Sequence, residues 1–150
     1  MKLLMIDLNI PANTLIQWQK LLQSLQRIIG YKVILCSVNE HNVYVPCVTS
    51  YAENVGMLNT AELDLFCQSV ISKEPPFSDV SFLPDSSFMT ALPVYWQSRA
   101  CFGTLIILSD ERELEQDHLL VLESAVSHIE KDLTSLYQEA KSSYRLKLES

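Results

Sequence analysis

The chain has 150 residues, 48% of them hydrophobic, and a formal charge of -7, which suits one substantial core and is short for two independent domains. The acidic balance repels phosphate backbones and anionic lipid, and no stretch gathers the Lys/Arg cluster that nucleic-acid binding needs. The opening ten residues are apolar apart from Lys2, Asp7 and Asn9, too short a run for a signal sequence or a membrane span. The expectation is therefore a single soluble, cytoplasmic domain over residues 1–150, with neither nucleic acid nor membrane as a partner.

From Pro11 to Gly30, Leu15, Trp18, Leu22, Leu25 and Ile29 recur at spacings of three and four, so they share one face of a helix that Pro11 opens and Gly30 closes. Residues 32–39 and 43–49 are rich in β-branched and aromatic side chains, with turn chemistry at Asn39–Asn42, and predict a hairpin. A loop over 50–59 precedes a second helix over 60–71, carried by Leu63, Phe66, Cys67, Val70 and Ile71 and opened by Thr60. Residues 72–87 hold Pro75, Pro76 and Pro84 and should be irregular, apart from a short extended piece around Val80–Leu83. They are a candidate ligand lid. Residues 89–96 and 100–108 are apolar on both sides and predict a central hairpin turning at Gln97–Arg99.

The last element is a long helix, within residues 113–150, on which Leu119, Leu122, Val126, Ile129, Leu133, Leu136 and Ala140 follow a heptad. Its length predicts a parallel homodimer through the first and last helices, with Trp18, Leu22, Leu25, Val126, Ile129, Leu133, Leu136 and Ala140 at the interface. The flanking positions Glu123, Glu130, Asp132 and Glu139 are all acidic and disfavour a two-stranded coil, so Lys20 and Arg27 of the first helix are expected against them in a four-helix arrangement. The alternative is that the whole stripe packs inside one chain.

Several short stretches carry more than a fold class: Ile10-Pro11 with Trp18-Gln19, Phe66-Cys67 with Val70-Ile71, Leu92-Pro93-Val94-Tyr95-Trp96, and Phe102-Gly103-Thr104-Leu105 running to Asp110. In this order they resemble GAF domains of the kind found at the N-terminus of bacterial sensor histidine kinases and diguanylate cyclases. The resemblance implies an α+β sandwich. A central antiparallel sheet of five to six strands would carry the first and last helices on one face, with a ligand-type cavity, loops and a short helix on the other. It also implies a regulatory sensor that binds a small molecule, dimerises, or both, and controls a covalently attached output domain.

Tyr51, Phe66, Phe82, Phe88 and Tyr95 would frame that cavity, with Asp79 and Asp85 as polar fixtures, unless the aromatic rings fill the space themselves. No cofactor is expected. His41, His118 and His128 lack metal-ligand spacing, and none of Cys36, Cys47, Cys67 and Cys101 neighbours a histidine as covalent bilin attachment would require. The four cysteines form no C-x-x-C pair and read as reduced, mostly buried thiols. Catalysis has no motif to rest on, so the chain is expected not to be an enzyme. The alternative is a thiol oxidoreductase similar to the stand-alone GAF-type free methionine sulfoxide reductases. Cys67 lies near one cysteine position of those proteins, but residues 83–89, where their nucleophile would fall, contain no cysteine.

Overall fold

The computed structural model describes residues 10–51, 60–71, 79–82, 88–110 and 114–149, with side chains undescribed at Thr60, at 79–82 and beyond Ser142. Helix α1 spans Ala12–Ile29. Pro11 supplies the extended N-cap, and its carbonyl accepts from Leu15 N at 3.1 Å. At the other end Gly30 adopts φ 81°, from which its N–H reaches the Gln26 carbonyl at 2.8 Å. A side chain in that left-handed conformation would be strained, which is why glycine closes this helix.

Strands β1 (Lys32–Val38) and β2 (Tyr44–Thr49) form the first hairpin. Its turn is held by the Asn39 side chain, whose Oδ1 accepts from His41 N at 2.9 Å and Val43 N at 3.1 Å. That local bonding lets Asn42 take a positive φ of 62°. Helix α2 covers Thr60–Ile71, strand β3 Asp79–Phe82, strands β4 and β5 Phe88–Tyr95 and Cys101–Ser109, and helix α3 Gln116–Glu149. The strands make one five-stranded sheet in the order β2-β1-β5-β4-β3, with every neighbouring pair antiparallel. The two predicted hairpins are thus joined through β1 and β5.

Two bulges break the regular register. Leu35 opposes Val48 while Cys36 opposes Pro46, which leaves Cys47 as the extra residue. On β5, Gly103 opposes Val94 and Cys101 opposes Tyr95, so Phe102 is the extra residue there. Pro93 lies buried just before this irregularity, at the end of the regular β4–β5 ladder.

The sheet is covered on both faces. On one, α1 and α3 pack over Val33, Leu35, Val94, Phe102, Leu105 and Ile107. The bulge brings Phe102 to this side, where Trp18 and Trp96 meet it edge-on at centroid distances of 5.8 and 5.6 Å. On the other face α2 packs Leu63, Phe66, Cys67 and Val70 over Ile34, Cys36, Met89, Ala91 and Ile106. Among the described residues no helix is long and apolar enough to cross a membrane.

Within the single chain this packing already covers most of the residues expected at the interface. Trp18, Leu22, Leu25, Val126, Ile129 and Leu133 are all buried within the single chain, Trp18 at 0% exposure, because the sheet and the facing helix already cover them. Of the expected interface residues only Leu136 and Ala140 are half-buried. The acidic flank is also partly engaged within the chain. Asp132 accepts from Trp18 Nε1 at 2.9 Å and Glu130 from Tyr95 N at 2.8 Å, while Lys20 and Arg27 stand exposed. The helices run antiparallel: Trp18 lies against Asp132, and Pro11 shares a cleft with Glu139.

Candidate functional site

The face beneath α2 concentrates the chemistry-bearing side chains. On β1 the strand alternation sends Val33 and Leu35 to the helix pair and Ile34 and Cys36 to the α2 side. Thr104 is the direct cross-strand partner of Cys36 on β5, so their side chains project from the same face. Cys67, on the inner stripe of α2, completes the group with its Sγ 3.1 Å from Thr104 Oγ1. Beside it the Tyr44 hydroxyl donates to Cys101 Sγ at 3.5 Å, and Cys101 donates in turn to the Gly103 carbonyl at 3.6 Å. Asp64 of α2 fixes the helix to β2 by accepting from Tyr44 N at 2.8 Å.

These contacts set the acidities. A hydrogen bond from Cys36 lowers the pKa of Cys67 and raises that of Cys36, because the donated proton favours charge on the acceptor sulfur; burial raises Cys36 further. Burial first, and the bond to Cys101 second, raise Tyr44. Burial also raises Cys101, Cys47 and Tyr95. The result is a buried, weakly polar cluster. Among the described residues no group of three or more His, Cys, Asp or Glu is placed to hold a metal ion.

The expected cavity residues separate in space. Phe66 is buried in this cluster, and Tyr51 is half-buried against it, its ring lying beneath Lys32 Nζ at 4.9 Å. Phe88 begins β4 opposite Ser109, whereas Tyr95 ends the same strand, roughly 23 Å away at ~3.3 Å per residue. Tyr95 instead lines a surface groove of about 700 Å³ with Trp96, Arg99, Glu130, Lys131 and Thr134, on the α3 side. Asp79 and Phe82 are described only as backbone of β3, and Asp85 lies outside the described residues. Tyr44, Cys36, Thr104 and Cys101 were not singled out as site residues. For Cys36 and Thr104 the usable signal is strand parity, since Ile34, Cys36, Thr104 and Ile106 alternate onto one face. Tyr44 is placed by the hairpin register alone.

No family model and no curated protein matches the sequence. Solved structures do match the fold. A domain of a two-component sensor histidine kinase protein from Sinorhizobium meliloti 1021 aligns with a TM-score of 0.60 at 8% identity, covering 91% of this chain and 99% of its own. The blue-light absorbing form of the Thermosynechococcus elongatus PixJ GAF domain aligns at 0.62 and 11% identity, covering 95% and 99%. A type II free methionine-R-sulfoxide reductase from Thermoplasma acidophilum aligns at 0.52 and 18% identity, covering 82% and 91%. With one antiparallel sheet, two helices on one face and a third helix on the other, the chain has the α+β fold of a GAF domain.

Proposed function

We propose that this domain is the regulatory sensor of a bacterial signalling protein, performing no chemistry of its own. It binds a small apolar or amphipathic molecule between α2 and the sheet and passes the change through α3 to an attached histidine kinase or diguanylate cyclase output domain. The observation that carries this reading is the way α3 is fastened to the sheet. The bulge that ends β4 presents Tyr95 N to Glu130 at 2.8 Å, and Asp132 holds α1 two residues further along the same helix. β4 and β5 also form the floor under α2. A ligand that moves α2 or these strands therefore acts on groups that locate α3, and it shifts the output to the extent that it prefers one arrangement over the other. Neighbours from a sensor histidine kinase protein and from PixJ support the reading. The test is a thermal-shift screen of the purified chain against metabolites and cyclic nucleotides. A saturable rise in melting temperature without turnover is expected; consumption of the bound compound overturns the non-catalytic reading.

The second reading, a thiol oxidoreductase, draws on Cys67 and on the methionine-R-sulfoxide reductase neighbour. It predicts loss of free methionine sulfoxide in the presence of thioredoxin, abolished by Cys67→Ser. Activity that survives this substitution removes the only candidate nucleophile.

A further inference from the structure

We propose that Cys36 and Cys67 form an oxidisable dithiol that hydrogen peroxide closes into a disulfide, fastening α2 to strand β1. The two residues come from different elements, β1 and α2, and neither is needed by the proposed relay. Both are wholly buried in one cluster and converge on Thr104, which is the direct cross-strand partner of Cys36 and whose Oγ1 is 3.1 Å from Cys67 Sγ. Thiols that converge on one side chain from facing elements approach bonding geometry through side-chain rotation and a small movement of α2.

The remaining cysteines are placed differently. Cys101 is engaged by Tyr44 and Gly103, and Cys47 is the bulge residue packed with the core beneath α1 and α3. Pairing is therefore specific to Cys36 and Cys67.

The surroundings divide the roles. Cys67 receives the hydrogen bond and is the more acidic, so it supplies the thiolate, while Cys36 retains its proton. The Cys67 thiolate attacks one peroxide oxygen. The S–O bond forms, the O–O bond breaks, and the departing hydroxide takes a proton to become water, leaving Cys67 as a sulfenic acid. Cys36 sulfur then attacks Cys67 sulfur, the S–S bond forms, the S–O bond breaks, and hydroxide leaves with the Cys36 proton as a second water. Two thiols lose two electrons and one peroxide gains them. Because α2 covers both sulfurs, oxidant enters through local opening of this helix, and the reaction accelerates under mild urea.

The experiment treats the fully reduced chain with hydrogen peroxide, alkylates the remaining thiols and maps peptides without reduction. The expected product is about 2 Da lighter before alkylation, carries a Cys36–Cys67 cross-link, retains alkylatable Cys47 and Cys101, and melts at a higher temperature until dithiothreitol is added. Cys36→Ala and Cys67→Ala should each lose the lighter species, and Cys47→Ala and Cys101→Ala should keep it. A cross-link through Cys47 or Cys101 overturns the proposal. So does a link between chains, or oxygen addition at Cys67 without a link. The wild-type peptide map decides even where a variant fails to fold.

Discussion

The buried indole of Trp18 donates its Nε1 proton to Asp132 Oδ2 at 2.9 Å, joining α1 to α3 across 114 residues of sequence. Removing the acceptor leaves that N–H desolvated and unpaired, so Asp132→Ala should cost about 1–3 kcal/mol. His128 lies 3.7 Å from the same carboxylate oxygen but is largely exposed, and His128→Ala should cost less than about 0.5 kcal/mol. Urea denaturation of the two variants checks the contrast. Equal losses would mean that the indole bond contributes nothing particular.

Gly103 is required by a close approach of strands. A Cβ built there would stand 1.8 Å from the backbone oxygen of Cys36, a clash that no side-chain rotation relieves. Gly103→Ala should destabilise by more than about 2 kcal/mol or prevent folding, because β5 would have to part from β1 at the centre of the sheet. Circular dichroism and a urea titration measure it. Wild-type stability in this variant would show that the bulge at Phe102 can absorb the shift.

Thr90 is buried, and its Oγ1 has no hydrogen-bond partner among the described residues. Thr90→Val keeps the shape and removes the unmet polar group, so it should stabilise the chain by about 1 kcal/mol. A lower denaturation midpoint in this variant would mean that the hydroxyl does find a partner in solution.

Alkaline pH should destabilise the fold. The pKa values of Tyr44, Cys36, Cys47 and Cys101 are raised, so these groups stay protonated in the native state at a pH where the unfolded chain has lost those protons. Their contribution is complete below the unfolded values, 9.0 for the thiols and 10.0 for the phenol, and is lost as pH rises through and above them. Cys67 is lowered and runs the other way, its contribution growing as pH rises toward 9.0. With these four groups and Tyr95, which is also raised, against one, the urea midpoint should fall above about pH 9. Tyr44→Phe should flatten the part of the fall above about pH 10. An unchanged slope in that variant would remove Tyr44 from the account.

Dimerisation is now expected to use what the single chain leaves uncovered. Leu136 and Ala140 are half-buried, and Ile16 on α1 is 51% exposed. Leu136→Asp and Ile16→Asp should convert a micromolar dimer into a folded monomer in sedimentation equilibrium. Ile129→Asp and Leu133→Asp should unfold the chain instead, since each places an unpaired charge in the core. A wild-type monomer at that concentration overturns the dimer.

What sequence determined here is local in origin. Apolar spacing at Leu15 through Ile29 marked α1, Asn39–Asn42 marked a turn that the Asn39 side chain closes, and two-sided apolarity marked β4 and β5 as strands covered on both faces. Each is a property of consecutive residues, and periodicity or turn chemistry reports it directly. Partner choice is not such a property. The heptad on α3 is compatible with a second helix or with a sheet, and Ile129 and Leu133 ended inside one chain because β4, β5 and α1 supply the apolar area they need. Likewise, the two bulges decided that Phe102 meets Trp18 and that Cys47 leaves the face on which Cys36, Cys67 and Thr104 converge. A single extra residue reverses which side of a sheet the following side chains occupy. That shift is fixed by strand pairing between distant segments, so only the tertiary structure could place these groups together.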